Sequence, residues 1–230
     1  MSPPPPIDGQ TAGGLSPDDV DAFFRSAVTI ELGLGFVAVI LGWLTGVNVH
    51  QWLPPWELAS LSPIAVAILG GVVAALPMLL VVEIVERIDW APFRELQELD
   101  QSPIVATLLR MSPAELITIS IAAGVGEELL LRGWLMAWLI GPPENATFGL
   151  IVMGLITSSI AFGLMHPITP AYFGLATLIG LYFGILVLWT ENLLVAITAH
   201  AVYDAVHLLL SRRSKRTAAP VPDDPESSPD

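Results

Sequence analysis

Six stretches of the chain, at about 28–47, 63–85, 114–140, 147–166, 170–190 and 193–211, are predominantly apolar. Each is close to the ~20 residues with which a helix crosses a ~30 Å hydrocarbon layer. Runs of that length predict transmembrane helices rather than the half-buried faces of a soluble fold. Between the second and third, residues 86–111 mix charged and apolar side chains and predict a helix on the membrane surface. Ser16-Pro17-Asp18-Asp19 reads as a helix start, with Ser as the cap, Pro at the first helical position and an acid three residues on. The amphipathic piece that follows, through Phe23 and Phe24, predicts a second surface helix ahead of the first span. Ser112-Pro113-Ala114-Glu115 repeats the start signal at the head of the third span. The expected fold is all-α: a polytopic transmembrane bundle of about six spans with short amphipathic surface helices. No internal repeat is visible.

Composition agrees with the pattern. The 230 residues are 53% hydrophobic and 13% charged. The net charge of −13 comes largely from the ends, with Asp8, Asp18, Asp19 and Asp21 near the start and Asp223, Asp224, Glu226 and Asp230 at the close. Residues 1–15, with the Pro3–Pro6 run, and residues 212–230 lack the apolar content for a core and are expected to be disordered tails around a membrane domain at 16–211. No basic n-region followed by an apolar stretch opens the chain, so no cleavable signal peptide is expected. Cysteine is absent, which removes disulfides, thiolate metal sites and thiol catalysis. Acidic ends argue against nucleic acid, whose phosphates need clustered Lys and Arg.

The basic residues instead report topology. Arg25 precedes span one, Arg87, Arg94 and Arg110 lie between spans two and three, and Arg212, Arg213, Lys215 and Arg216 follow span six. With six spans all of these fall on one side, and the opposite loops at 48–62, 141–146 and 191–192 hold no Lys or Arg. Both termini are therefore expected in the cytoplasm of a cell-membrane protein. Trp43, Trp52, Trp56 and Trp138 crowd the other boundary as interface anchors.

Within the spans, ionisable residues are expensive and need compensation. Glu127, Glu128 and Arg132 share six consecutive positions of span three. Glu128 and Arg132, four apart, pair along one face. Glu127 points about 100° away and needs a partner on another helix. His166 at the end of span four, and His200 with Asp204 one turn apart in span six, are the candidates. Glu31 and Glu83 lie near the predicted cytoplasmic ends of their spans, where snorkelling gives them structural roles. His50 lies in a loop, and His207 shares the face of His200 nearer the cytoplasm; neither is assigned chemistry. Gly124, Gly126 and Gly133 are read as close-packing positions, and Phe162 as packing beside His166.

The ordered motifs Glu127-Glu128-Leu-Leu-Leu-Arg132, Phe162-Gly-Leu-Met-His166 and His200-Ala-Val-Tyr-Asp204 resemble those of the CAAX-protease and bacteriocin-processing (Abi) family of intramembrane endopeptidases. That family includes type II CAAX prenyl endopeptidases and the lysostaphin resistance protein A group. The resemblance covers a core at about 114–211. It implies a peptidase whose catalytic residues are Glu127, Glu128, His166, His200 and Asp204, with Arg132 and Phe162 in support. Glu127 and His166 would activate water, and His200 with Asp204 would stabilise the oxyanion. The family often carries Asn where this chain has Asp204; that carboxyl would donate to an oxyanion only if protonated and would otherwise orient His200. No cofactor is expected in the glutamate-type mechanism. In a zinc mechanism the ligands would be Glu127, His166 and His200, with the fourth position open to water. No His-Glu-x-x-His zinc helix is present.

The expected partners are the lipid bilayer and a membrane-associated protein or peptide substrate. Two other readings compete: a non-catalytic immunity or assembly factor in which the polar cluster locks helices together, and a proton-coupled carrier. A water-filled hollow opening toward the cytoplasm is expected in the first reading, because hydrolysis needs water.

Overall fold

A computed structural model describes residues 16–55, 61–88 and 102–218. Its regular elements there are all helical. They are α1 (Pro17–Thr45), α2 (Leu61–Arg87), α3 (Pro103–Leu108), α4 (Pro113–Glu128), a π-helical stretch π1 (Leu129–Met136), α5 (Ala137–Ile140), a 3-10 turn (Pro143–Asn145), α6 (Phe148–Leu164), α7 (Pro170–Thr190) and α8 (Leu193–Ala218). Four of them, Pro17–Thr45, Leu61–Val85, Pro170–Thr190 and Leu193–Lys215, are long and apolar enough to cross a membrane, and Phe148–Leu164 is a shorter apolar helix. The chain is an all-α membrane helical bundle.

Helix starts follow the sequence signals. Ser16 caps α1 and Ser112 caps α4, each reciprocally with the acid three residues on, Asp19 and Glu115. Helix α1 ends at Gly46, whose φ of 72° closes a left-handed C-cap.

Large apolar side chains point outward. Phe36, Trp43, Val66 and Leu69 are all more than 60% exposed, whereas Gly35, Ala38 and Gly42 of α1 and Ala67 and Ala75 of α2 are buried. That inversion suits lipid as solvent, because small residues let helices approach where no hydrophobic drive pulls them together. Helix α8 is the hub, packed against α2, α4 and α7; α4 in turn packs on α1, and α6 on α7. The main core joins Leu131, Met136, Phe162, Phe183, Val187, Leu193, Ala196 and Ala199.

Several boundaries differ from expectation. No separate surface helix precedes span one: residues 17–45 are one helix. Val20, Phe23 and Phe24 pack against Met111, Leu116, Ile119, Leu208 and Leu209, so the amphipathic face is turned to protein rather than to headgroups. Helix α8 runs on to Ala218, past the expected boundary at 211, so residues 212–218 are helical rather than part of a tail. Span three is continuous over 113–140 but changes winding at Leu129. Span four stops at Leu164, which leaves His166 in the following turn. Of the surface helix expected at 86–111, α3 lies within the described residues, as does the end of α2, while 89–101 lie outside them. Also outside are Trp56, Arg94 and the tails at 1–15 and 219–230.

The loop at 46–55 folds back into the bundle end. Its Val49 is 4% exposed, and the Leu193 N–H donates to the Trp52 carbonyl at 2.8 Å. Gly133 has no room for a side chain, since an added Cβ would lie 2.8 Å from the Val49 carbonyl oxygen.

Candidate active site

Helix α4 delivers Glu127 and Glu128 on its last turn, and π1 delivers Arg132 a turn later. A π-helical stretch widens the turn and is frequent at functional sites. Here it carries a guanidinium into the bundle with no exposed surface at all. Arg132 Nη1 donates to Glu128 Oε1 at 2.8 Å, and Nη2 donates to the Gly180 carbonyl of α7 at 2.5 Å. The Phe162 and Phe183 rings lie 5.0 and 5.6 Å from its Cζ, both within cation–π range. Glu128 is fully buried and is shared: the same Oε1 meets His200 Nδ1 at 3.1 Å. The pairing of Glu128 with Arg132 expected from spacing is present, and it ties three helices rather than one.

His200 is held on both sides. Its Nδ1 faces Glu128, and its Nε2 lies 3.4 Å from Asp204 Oδ2. Two carboxylate oxygens against two ring nitrogens are satisfied together by the imidazolium, in which both nitrogens donate. The Asp204 contact is longer than an ordinary N–H···O bond and holds the second proton loosely. Phe183 stacks on the His200 ring at 4.9 Å with planes 16° apart.

His166 is reached by the turn after α6 rather than by the helix itself. Its ring Nδ1 lies 2.9 Å from the Phe162 carbonyl, which also accepts from the Met165 N–H at 3.2 Å, so Nδ1 is the donor and carries the proton. That fixes Nε2 as the bare nitrogen in the neutral ring, 4.0 Å from Glu127 Oε1. Phe162 stands between the two imidazoles, 4.9 Å from the His166 ring and 5.6 Å from His200. Tyr172 of α7 meets His166 edge-on at 5.9 Å.

The sequence candidates thus fall into two linked groups. Glu127 and His166 face each other. Glu128, Arg132, His200 and Asp204 form a chain of charge contacts beside them. Glu127 is 5% exposed and its Oε2 has no hydrogen-bond partner. The His166 and Asp204 side chains are 24% and 30% exposed and form the open side of the site. Two hollows of about 390 Å³ lie elsewhere, one against Arg25 and Thr29, the other among Asp21, Arg110, Glu115 and Arg212; neither is lined by Glu127 or His166. Among the described residues no group of three or more His, Cys, Asp or Glu is disposed to hold a metal ion. The zinc set of Glu127, His166 and His200 is not gathered around one point, because His200 turns both nitrogens to other carboxylates.

Sequence reasoning overlooked α7, which contributes the Gly180 carbonyl, Phe183 and Tyr172. None of these is ionisable, and a polar-residue search passes over them. Glu31, read as a snorkelling residue, has a buried Oε2 without a partner, whereas Glu83 pairs on an exposed surface with Arg87. His207 stacks on Tyr203 at 6.1 Å. Gly124 and Gly126 are close-packing positions: an added Cβ would lie 2.8 Å from the Ile197 carbonyl oxygen at Gly124 and would overlap the Glu31 carbonyl at Gly126.

Residues 109–206 match the family model described as type II CAAX prenyl endopeptidase Rce1-like. No curated protein and no solved structure matches the chain.

Proposed function

We propose, from the match of residues 109–206 to the family model described as type II CAAX prenyl endopeptidase Rce1-like, that the chain hydrolyses a peptide bond of a membrane-associated protein or peptide with water activated by Glu127 and His166. The observation that carries the reading is the pair itself. Glu127 Oε1 and the bare Nε2 of His166 are two acceptors 4.0 Å apart. A water hydrogen-bonded at about 2.8 Å to each would have both protons directed away from the substrate and an oxygen lone pair free to attack. One water proton passes to the Glu127 carboxylate as the new C–O bond forms; this is general-base catalysis by a carboxylate at the rim of a dry site.

The tetrahedral oxyanion is stabilised by the Nε2–H of His200. At 3.4 Å from Asp204 that donor is only weakly engaged and can turn to a stronger acceptor. Asp204 orients the ring, and Glu128, fixed by Arg132, holds its far nitrogen. Collapse breaks the C–N bond, and the proton on Glu127 moves to the departing nitrogen. The basic residues at one end of the bundle support a cytoplasmic site in the cell membrane.

Glu127→Gln tests this in purified protein reconstituted in nanodiscs and assayed with fluorogenic prenylated CAAX peptides, alongside comparison of protein termini in cells with and without the variant. Glutamine keeps the shape and loses the basic oxygen. Cleavage should fall by about 10²–10⁴-fold with unchanged thermal unfolding. Full activity in the variant would refute the reading and favour a bundle in which the same polar groups only lock helices together.

A further inference from the structure

Glu31 has no part in the reaction as set out above, and α1, which carries it, lies outside the matched segment 109–206. Helices α1 and α4 nonetheless touch backbone to backbone at this level. The Glu31 carbonyl oxygen occupies the space a side chain at Gly126 would need, and a Cβ at Gly35 would meet the Gly126 Cα at 3.5 Å. Glu31 is therefore level with Gly126 and Glu127. Its carboxylate interacts electrostatically with His200, Asp204 and Glu127.

Three carboxylate oxygens in this neighbourhood, Glu31 Oε2, Glu127 Oε2 and Glu128 Oε2, are buried and have no hydrogen-bond partner. Glu127 itself is more than nine-tenths buried. The formal charges point the same way: Glu31, Glu127, Glu128 and Asp204 stand against Arg132 and an imidazolium at His200, so acids exceed cations within a membrane bundle. Arg132 gives Nη1 to Glu128 and Nη2 to Gly180, and its Nε is buried without a partner. Unpaired acids in a span are costly unless a cation or a donor visits them. Peptide hydrolysis produces such a group. The amide nitrogen keeps its hydrogen, gains one proton from the attacking water through Glu127, and takes the other from the new carboxylic acid, leaving a carboxylate and an ammonium.

We propose that Glu31 binds the newly formed amino group of the released peptide, as its ammonium, beside Glu127. This rests on the peptidase reading and adds the leaving-group side of the same site. An ammonium offers three donors, more than the open oxygens of Glu31 and Glu127 require. Glu31 is then a product-side contact on a helix that the matched segment does not include.

The test is product inhibition, measured with the peptide whose cleavage Glu127→Gln abolishes. The released peptide is added back either with its free amino terminus or N-acetylated, the acetyl group removing the charge and most of the donors. Wild-type protein should be inhibited by the free amine at roughly tenfold lower concentration than by the acetylated form, the size expected of one charge-assisted hydrogen bond. Glu31→Gln should bring the two inhibition constants together, and Glu31→Asp, which keeps the charge on a shorter arm, should retain part of the difference. Equal inhibition of wild type by the two peptides would overturn the inference, as would an undiminished preference in Glu31→Gln. Because the wild-type comparison needs no variant, a Glu31→Gln protein that failed to fold would leave the inference open to refutation. Full cleavage by Glu127→Gln would sink the peptidase reading itself. A dead Glu127→Gln with an undiminished preference in Glu31→Gln would sink only the role of Glu31.

Discussion

Substituting Met for Arg132 keeps most of the side chain's length and its apolar stem but removes the guanidinium, so the variant isolates the polar part of the buried network. Lost are the 2.8 Å contact with Glu128, the 2.5 Å bond to the Gly180 carbonyl and the two ring-face contacts. Glu128, with no exposed surface, keeps His200 as its remaining partner. Removing one member of a buried pair costs about 3–5 kcal/mol, mostly because the other charge is stranded. The ring contacts add up to about 2 kcal/mol when desolvated, offset by the packing of Met against Phe162 and Phe183. The net expectation is a loss of about 3–5 kcal/mol. Combining Arg132→Met with Glu128→Gln removes the stranded charge while leaving an oxygen to accept from His200 Nδ1, and should recover at least about 2 kcal/mol of that loss. Unfolding in mixed detergent micelles with increasing sodium dodecyl sulfate, followed by tryptophan fluorescence, gives both values by linear extrapolation. A single variant destabilised by less than about 1 kcal/mol, or a double variant no more stable than the single, would refute the claim that Arg132 neutralises Glu128 inside the bundle.

Gly126→Ala should destabilise by about 1–3 kcal/mol in the same assay, because its Cβ meets a backbone carbonyl that cannot rotate away. Gly174→Ala, with open space around the new methyl, should be neutral or stabilising by up to about 1 kcal/mol. Equal effects at the two positions would contradict the close crossing of α1 and α4. If Asp204 orients His200 by accepting from it, Asp204→Asn should keep kcat/KM within about tenfold of wild type, while Asp204→Ala should lose about tenfold more than Asn; a dead Asn variant would show that the charge, not the hydrogen bond, matters. His166→Ala should lower the rate by about 10²-fold or more without changing thermal unfolding, since its ring is partly exposed and its bond to Phe162 lies within its own turn.

How far the sequence reveals this arrangement depends on whether a residue's role is written in charge. Hydropathy alone yields the six helical stretches, since backbone polar groups in lipid leave no alternative to helix. Spacing yields the Glu128–Arg132 pair and the shared face of His200 and Asp204. The continuity of α1 through Phe23 and Phe24 is hidden, because an amphipathic face looks the same whether it meets headgroups or another helix. The position of His166 is hidden for a different reason. The sequence places His166 at the end of the span, whereas the helix stops at Leu164 and the ring bonds back to the Phe162 carbonyl. Gly180 and Phe183 act through a carbonyl and a ring face, which no pattern of ionisable residues marks. Glu31 is visible as an acid in a span, but its level depends on the crossing at Gly126, which is a property of two helices at once.

That crossing bears on modularity. A segment excised at 109 and 206 would carry both Glu127 and His166, yet the wall behind Glu127 would be missing, since the main chain of α1 fills the notch at Gly126. Transplanting that segment into another scaffold therefore requires bringing the first helix with it.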